Sequence, residues 1–224
     1  MGFYFFDKVY CIHLPGHGRR KAIERQFASV GIEDVQYIHA DEPLQGFDIN
    51  NMRRNPRGEF GASLSHIKAV VKAIDDGARQ PLFVEDDIVF RPDAIELIRQ
   101  VLSELSNYDV LYLGGHPRGP YYMHSEHVAR LTTFSFAEAY SINGRQLRPF
   151  FDFWCNRIGR PQAMYDFILG EFGAQHKGYC TQPLLTQQPD GVYSHIGGKR
   201  DYKSNCLERG WRENLCEDLS TRSA

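Results

Sequence analysis

The sequence predicts an α/β fold in which a mostly parallel sheet carries helices on both faces. Apolar runs of strand length alternate with segments of helical periodicity through the first half, and glycine or proline residues separate them. The composition is that of an ordinary globular protein. Because no internal repeat, linker or low-complexity segment interrupts residues 1–224, we expect one domain.

A change in periodicity predicts the first strand and the first helix. The apolar run at residues 9–14 is typical of a short strand, which Pro15 ends. Residues 19–30 then place apolar side chains on one face of a helix that stops at Gly31. A second strand is predicted at residues 35–39.

The next segment, residues 41–59, is polar and rich in Asn, Arg, Pro and Gly. We predict a long loop here, and long loops in compact domains are usually functional or mobile. Apolar positions at helical spacing then predict a helix at residues 62–76, which Gly77 ends.

The stretch PLFVEDDIVF, residues 81–90, is predicted as a buried strand. Pro92 suits the first turn of the helix that follows, because its missing N–H costs little there. The next strand is predicted at residues 109–113 and is closed by two glycines. This order of strands and helices implies parallel pairing with both faces of the sheet covered.

The second half is less regular. Strands are predicted at residues 132–136 and 138–142, and a helix at residues 162–172. The charged tail after Gly197 is expected to be irregular.

The composition limits the partners. The formal net charge is −2, so no global positive field indicates nucleic acid. The five cysteines are odd in number and include no CxxC pair, which favours reduced thiols over disulfides or a structural zinc site. With no signal peptide and no apolar run of about 20 residues, we predict a cytoplasmic protein that would meet a membrane substrate peripherally. The sequence does not predict an oligomeric state.

Three adjacent carboxylates, Glu85, Asp86 and Asp87, stand at the carboxyl end of a predicted parallel strand. Ligands bind at that edge of open α/β sheets. Carboxylates this close repel one another unless a cation or donor groups compensate them, so the run suits Mg²⁺ or Mn²⁺ shared with a substrate diphosphate. From this run alone, an acidic turn at the edge of the sheet is an equal alternative.

Three stretches resemble glycosyltransferase family 25, which includes bacterial lipooligosaccharide sugar transferases and collagen galactosyltransferases. They are VYCIHLPGHGRRKAIERQF at residues 9–27, GEFGASLSHIKAVVKAI at residues 58–74, and PLFVEDDIVF. Their order and spacing agree with the family's opening strand and helix, its Ser-His pair on a helix, and its Glu-Asp-Asp after a strand. Residues 13–16 depart from the family's usual opening, and the resemblance is looser beyond Phe90.

The resemblance implies the GT-A fold, a Rossmann-like sheet with a metal motif of the Asp-x-Asp type. Residues 1–115 would form the nucleotide-sugar-binding half and residues 116–224 the acceptor-side half. By this likeness Asp87 is expected to bind Mn²⁺ or Mg²⁺ directly and Glu85 to be a second ligand. Asp86 would contact the ribose or support the loop. His195 is the candidate third ligand, with a surface histidine as the alternative.

Inversion at the anomeric carbon, which the resemblance implies, needs a general base on the acceptor hydroxyl. Asp166 and Asp152 are the candidate bases. For Asp166, a carboxylate that stabilises the first turn of a helix is an equally good interpretation. The sequence does not exclude a retaining mechanism with a carboxylate nucleophile.

Other side chains are candidates for holding the donor. Arg19 and Arg20 follow a glycine-rich turn at a helix start, where backbone N–H and guanidinium groups can bind a diphosphate. His66 and Lys199 are further candidates. For each of the four, a surface or packing role is the alternative.

The leading prediction is therefore a metal-dependent, inverting glycosyltransferase. It would move a hexose, expected to be UDP-linked, to a glycan or lipid-linked glycan, as in lipopolysaccharide biosynthesis. One alternative is a nucleotidyltransferase acting on sugar phosphates, which should show a glycine-rich Lys/Arg signature that GHGRR only faintly resembles. The other is a non-catalytic nucleotide-sugar-binding protein.

Overall fold

An eight-stranded mixed sheet lies at the centre of the computed structural model. The structure describes residues 3–15, 18–40, 56–117, 121–158, 164–188, 193–194 and 198–199, with backbone alone at 56–58, 117, 193–194 and 198–199. Its helices are α1 (Arg20–Ser29), α2 (Pro56–Asp75), α3 (Ala94–Glu104), α4 (Gly144–Cys155) and α5 (Tyr165–Gln175). Its strands are β1 (Lys8–His13), β2 (Val35–His39), β3 (Pro81–Glu85), β4 (Val89–Phe90), β5 (Val110–Pro117), β6 (Tyr121–Met123), β7 (Val128–Leu131), β8 (Phe134–Ile142), β9 (Gly178–Thr181), β10 (Thr186–Gln187), β11 (Tyr193–Ser194) and β12 (Gly198–Lys199).

The strand order in the central sheet is β2-β1-β3-β8-β5-β9-β7-β6. β1 pairs in parallel with β2 and β3, and β5 pairs in parallel with β9. β8 lies antiparallel between β3 and β5, and β7 lies antiparallel between β9 and β6. Within the central sheet, all strands except β7 and β8 therefore share one direction. This confirms the predicted α/β class with a mostly parallel sheet.

The two faces of the sheet bury separate apolar clusters, because successive side chains of a strand point to opposite faces. Phe83 belongs to the cluster that α2, α4 and α5 cover, whereas its neighbour Val84 belongs to the cluster that α1 and α3 cover. Helices thus lie on both faces, as predicted. In the described part of the chain, no helix has the length and apolar character needed to cross a membrane.

Two predicted helix ends are confirmed by backbone geometry. Gly31 and Gly77 have φ angles of 70° and 62°, a region that glycine adopts without the strain of a Cβ atom. After α2, the Gly77 N–H donates to the Ile74 carbonyl and the Ala78 N–H donates to the Ala73 carbonyl. These bonds satisfy carbonyls that the end of the helix would otherwise leave without partners.

The start of α2 corrects the loop predicted at residues 41–59. The helix begins at Pro56, six residues before the predicted start at Ala62. Proline is favoured in the first turn of a helix, so Pro56 begins this one rather than extending the loop. The rest of the predicted loop lies outside the described residues.

The strand predicted to stop at Gly114 continues to Pro117 as β5. Glycine is needed here because β10 passes close by: a Cβ atom on Gly114 would lie 1.9 Å from Thr186 Oγ1. The strands predicted at residues 132–136 and 138–142 are one strand, β8, with an irregularity at Phe136, whose φ is 62°. The elements α4, β6, β7, β9, β10, β11 and β12 were not predicted, and α5 begins three residues later than predicted.

Candidate active site

The acidic triplet lies where β3 ends. Glu85 is the last residue of β3, and Asp86 and Asp87 form the turn that precedes β4. β4 pairs with β10 and is not part of the central sheet. Because Glu85 is the register partner of Ile12 in the parallel pair of β1 and β3, the triplet lies at the carboxyl edge of these strands. The strand predicted at residues 81–90 is therefore two strands, and the turn between them carries the two aspartates.

Asp86 is fully engaged with the first loop of the chain. It is 4% exposed, and its Oδ2 accepts the Leu14 N–H at 2.9 Å and lies 2.8 Å from His13 Nδ1. Its Oδ1 accepts a hydrogen bond from Arg19 at 3.0 Å. Asp86 thus ties the segment between β1 and α1 to the end of β3. These contacts favour the interpretation in which Asp86 supports the loop over the one in which it contacts the ribose.

Glu85 and Asp87 instead converge on one amide group. Gln188 Nε2 donates to Glu85 Oε2 at 3.1 Å and to Asp87 Oδ1 at 3.0 Å. Asp87 Oδ2 accepts from the same Arg19 nitrogen that binds Asp86, at 3.1 Å. A neutral amide cannot cancel two carboxylate charges, and the single guanidinium is divided between two aspartates. The pair is therefore under-compensated.

The pKa of Asp87 reflects this imbalance. Burial and the neighbouring Glu85 charge raise it to about 7, although Arg19 and the Gln188 amide act in the opposite direction. Burial and the Glu85 charge thus outweigh the Arg19 guanidinium that contacts this carboxyl group. Perturbed carboxyl groups of this kind are concentrated at functional sites.

His66 orients Glu85 from α2. Its Nε2 lies 3.1 Å from Glu85 Oε1, and its Nδ1 lies 3.0 Å from the Tyr140 hydroxyl. The ring stacks on Tyr165 with centroids 4.5 Å apart, and the residue is 3% exposed. This arrangement favours the alternative interpretation of a satisfied, buried histidine that positions a neighbouring carboxylate.

The two predicted donor-binding arginines lie in different surroundings. Arg19 faces the triplet, where it contacts Asp86 and Asp87. Arg20 pairs with Glu24 at 2.6 Å and lies over the ring of Tyr37, 3.1 Å from its centroid. The structure therefore brings Arg19 to the candidate site and places Arg20 on the outer surface of α1.

The candidate bases lie on two helices of one face of the sheet. Asp166, in the first turn of α5, accepts the N–H groups of Phe136 at 3.1 Å and Phe167 at 3.0 Å. It therefore holds the irregular backbone of β8 to the start of α5, which suits the interpretation of a helix-stabilising carboxylate. Asp152 is exposed on α4.

Two expected site residues are not among the described side chains. His195 lies outside the described residues, and only the backbone of Lys199 is described, in β12. Their predicted roles as third metal ligand and diphosphate contact stay predictions.

Sequence reasoning missed His13 and Gln188 as site residues. His13 carried a signal, since it stands at the carboxyl end of a predicted strand, but it was interpreted only as a departure from the family pattern. Gln188 carried none, because its contact with Asp87 joins positions 101 residues apart.

A second acidic cluster lies elsewhere in the chain. Glu104, Glu126 and His127 place one ligand atom each within 4.8 Å of the others. Among the described residues this is the one set of three such side chains that close together. The His127 Nδ1 atom lies 2.5 Å from Glu104 Oε1, so the cluster is already partly neutralised by an internal contact. It shares no residue with the triplet.

Together, the strand directions and the acidic turn define a Rossmann-like α/β protein with a candidate ligand site at the carboxyl edge of its sheet. The family model described as "Glycosyltransferase family 25 (LPS biosynthesis protein)" matches residues 6–151, which is more than half of the chain. The chain therefore belongs to glycosyltransferase family 25.

Curated relatives match part of the chain. Proteins named "Glycosyltransferase 25 family member" from Drosophila melanogaster and Drosophila pseudoobscura pseudoobscura are each 28% identical to it over 48% of its length. The matches cover 21% and 20% of those proteins, so this chain corresponds to a small part of each.

Solved structures give more distant likenesses. A glycosyltransferase involved in the glycosylation of the major capsid of PBCV-1 is 13% identical with a TM-score of 0.45, over 72% of this chain and 71% of that one. A UDP-glucose pyrophosphorylase complexed with UDP-glucose is 9% identical with a TM-score of 0.42, over 78% of this chain and 72% of that one.

Proposed function

We propose that this chain transfers a hexose from a nucleotide-diphosphate donor, with uridine as the nucleoside, to a hydroxyl group of a glycan acceptor. Membership of family 25 supports the class of reaction. The convergence of Glu85 and Asp87 on Gln188 at the carboxyl end of β3 is the observation that carries the site assignment. Open α/β sheets bind nucleotides at this edge.

The residues at this edge fit a divalent cation. Glu85 and Asp87 offer carboxylate oxygens, the ligands that Mg²⁺ and Mn²⁺ prefer. They converge within hydrogen-bonding distance of one amide group, and burial together with the neighbouring Glu85 charge raises the pKa of Asp87, which a bound cation would lower. In this proposal the two side chains hold the cation, with His195 as a third ligand. When bound, such an ion neutralises charge on a leaving diphosphate.

The reaction breaks the bond between the anomeric carbon and the diphosphate oxygen, whose electron pair leaves with the diphosphate. The acceptor oxygen forms the new bond, and its proton passes to a carboxylate base. Arg19 places a permanent positive charge beside Asp87, where it would stabilise charge that develops on the leaving group. Asp86 and His13 hold Arg19 and the first loop in this position.

We propose inversion by direct displacement, with Asp166 or Asp152 as the base. Backbone N–H bonds hold Asp166 in place, whereas Asp152 is open to an incoming acceptor. Replacement of the true base by asparagine should lower the transfer rate while leaving donor binding unchanged. Transfer at the wild-type rate by both single variants and by the double variant would remove both candidates.

A donor screen read by mass spectrometry tests the proposed reaction. Sugar transfer from a UDP-hexose to a glycan in the presence of Mn²⁺ is the expected result. Formation of a nucleotide sugar from a sugar phosphate and a nucleoside triphosphate would instead identify a nucleotidyltransferase. Binding of nucleotide sugar without turnover of any kind would identify a non-catalytic binding protein.

The acceptor and the location are further parts of the proposal. The family description names lipopolysaccharide biosynthesis, which supports a lipid-linked glycan as acceptor. A protein that acts on such an acceptor would work in the cytoplasm and contact the membrane surface peripherally. Sedimentation with vesicles that carry the acceptor, compared with vesicles that lack it, tests this contact.

A further inference from the structure

One buried carboxyl group in the structure has no hydrogen-bond partner. Glu138, on β8, is 2% exposed, and neither of its carboxyl oxygens has a partner among the described residues. A buried polar group without a partner destabilises the folded protein by roughly 1–3 kcal/mol. Stability therefore gives no reason for a glutamate at this position.

The register of the sheet places Glu138 beside the candidate active site. Val84 on β3 and Ala139 on β8 are the last paired residues of this antiparallel register, and Glu85 and Glu138 are the next residue of each strand beyond that pair. Directly opposite residues have Cβ atoms roughly 4.5–5.5 Å apart. Glu138 is thus a cross-strand neighbour of the first carboxylate of the triplet.

The contacts of the neighbouring residue show which face of β8 is involved. Tyr140, two positions along β8, contacts His66, and His66 contacts Glu85. Side chains two positions apart on a strand share a face, so Glu138 lies on the face that carries Glu85.

The charges around Glu138 are negative. Burial raises the pKa of Glu138 well above its usual range, and the charges of Glu85 and Asp87 raise it further. Among the described residues, the Arg19 guanidinium that contacts the triplet is already shared between Asp86 and Asp87. A buried carboxyl group on the face that carries Glu85, with no cation beside it among the described residues, is suited to a site that binds a positively charged ligand.

We propose that Glu138 supplies a third negative charge to the cation site formed by Glu85 and Asp87, its proton passing to solvent as the cation binds. This inference rests on the proposed function, because it assigns a further residue to the same cation. The affinity of oxygen-ligand sites for divalent cations depends on the negative charge around the ion, so Glu138 would add to affinity as a charged neighbour of the two ligands rather than as a third ligand.

Calorimetric titration of the purified protein with Mn²⁺, with and without UDP, tests the proposal. All proteins would carry Glu126→Gln, which removes an exposed member of the second acidic cluster and so prevents binding there from being confused with binding at the triplet. Glu138→Gln removes the charge with little change of shape, and Glu138→Met also removes the buried polar atoms. Each should weaken Mn²⁺ binding at least about tenfold, the lower end of the effect of residues that support metal sites.

Thermal unfolding of the metal-free proteins separates this role from a structural one. The midpoint temperature of Glu138→Gln should equal that of the parent, and that of Glu138→Met should be higher, because an unpartnered carboxyl group has been replaced by an apolar side chain. Ser141→Ala, at a buried position of the same strand that bonds Tyr108, is the control: it should lower stability and leave Mn²⁺ affinity unchanged.

The outcomes distinguish the two proposals. Mn²⁺ binding by the parent that neither Glu138 variant weakens would overturn this inference and leave the cation site intact. A parent that binds no Mn²⁺, even with UDP, would overturn the cation-dependent function and this inference together. Weaker binding in Glu138→Met, with a metal-free protein at least as stable as the parent, is the result that supports the assignment.

Discussion

The pKa values of two aspartates at opposite ends of the sheet are shifted in opposite directions. Just before β5, at the amino end, burial opposes ionisation of Asp109, yet donors from Lys177 N–H, Arg145 and Gln146, each at 3.0 Å, leave its pKa below the usual range. At the carboxyl end of β3, burial and Glu85 raise the pKa of Asp87 to about 7. Three donors outweigh the effect of burial on Asp109, whereas the guanidinium that Asp87 shares with Asp86 and the amide that it shares with Glu85 do not. This difference is the basis on which we propose the carboxyl end as the ligand-binding end.

Removal of Asp87 should have the largest effect on function. Asp87→Ala should lower the transfer rate at least about a hundredfold, because a cation that stabilises charge in the transition state contributes several kcal/mol. Mn²⁺-dependent binding of UDP, measured by calorimetry, should fall as well. The metal-free variant should unfold at a temperature no lower than wild type, since the substitution relieves repulsion with Glu85.

Asp34→Ala, which removes an exposed carboxylate before β2, is the matched control and should change neither the rate nor UDP binding. Retention of Mn²⁺-dependent UDP binding by Asp87→Ala would mean that the carboxyl edge does not differ from the amino edge in the proposed way.

Removal of Asp109 should have a large effect on stability instead. Asp109→Ala leaves the Lys177 N–H and the donors of Arg145 and Gln146 without their acceptor, so the free energy of unfolding should fall by about 2 kcal/mol. Urea unfolding at pH 7 measures this loss. Nucleotide binding by the folded fraction should be unaffected, and a loss of binding as large as that in Asp87→Ala would contradict the separation of roles.

Arg19 and Arg20 allow a comparison of two adjacent arginines, in which we expect smaller effects on UDP binding. Arg19→Ala should weaken UDP binding about tenfold, because it removes a charged donor beside Asp87. Arg20→Ala should leave UDP binding unchanged and lower the free energy of unfolding by about 0.5 kcal/mol or less, since its ion pair with Glu24 is exposed. Equal losses of UDP binding in the two variants would show that the surface of α1 also contacts the donor.

The smallest expected effect is on how the free energy of unfolding decreases at acid pH. The pKa of Asp109 is lower in the folded protein than in the unfolded chain, so its ionised form stabilises the fold. That contribution is complete above the unfolded pKa of about 4 and is lost as the pH falls through the lower folded value. Urea unfolding between pH 5 and pH 2.5 should therefore show a shallower decline for Asp109→Asn than for wild type. If the free energy of unfolding fell equally with pH in both proteins, the lowered pKa of Asp109 would be contradicted.

Much of the first half of the fold could be predicted because its signals are local. Apolar periodicity and glycine stops such as Gly31 and Gly77 depend only on nearby residues, and the helix ends they predict are confirmed. The second half was harder because tertiary contacts decide it. Gly114 indicated a strand end, yet it lies within β5, where it leaves room for Thr186 of β10.

The candidate site likewise has local features that the sequence predicts and tertiary contacts that it does not. The run of Glu85, Asp86 and Asp87 and its position at a strand end could be recognised from sequence, because both depend on adjacent residues. The division of roles between Asp86 and Asp87 could not, since it depends on His13, Arg19 and Gln188, which reach the triplet only in the folded protein. Glu138 was interpreted only as part of a strand, because nothing near it in the sequence reports that its carboxyl group lacks a partner.

The contact between Gln188 and Asp87 has a consequence for how the protein is made. The ribosome adds Asp87 101 residues before the amide that draws it towards Glu85. β8, which joins β3 to β5, also follows both of these strands in the chain. A nascent chain that has emerged only through β5 therefore has neither a continuous sheet nor a closed ligand edge, and its apolar strands stay exposed until later segments arrive. The centre of the sheet and the binding edge are completed together, late in synthesis.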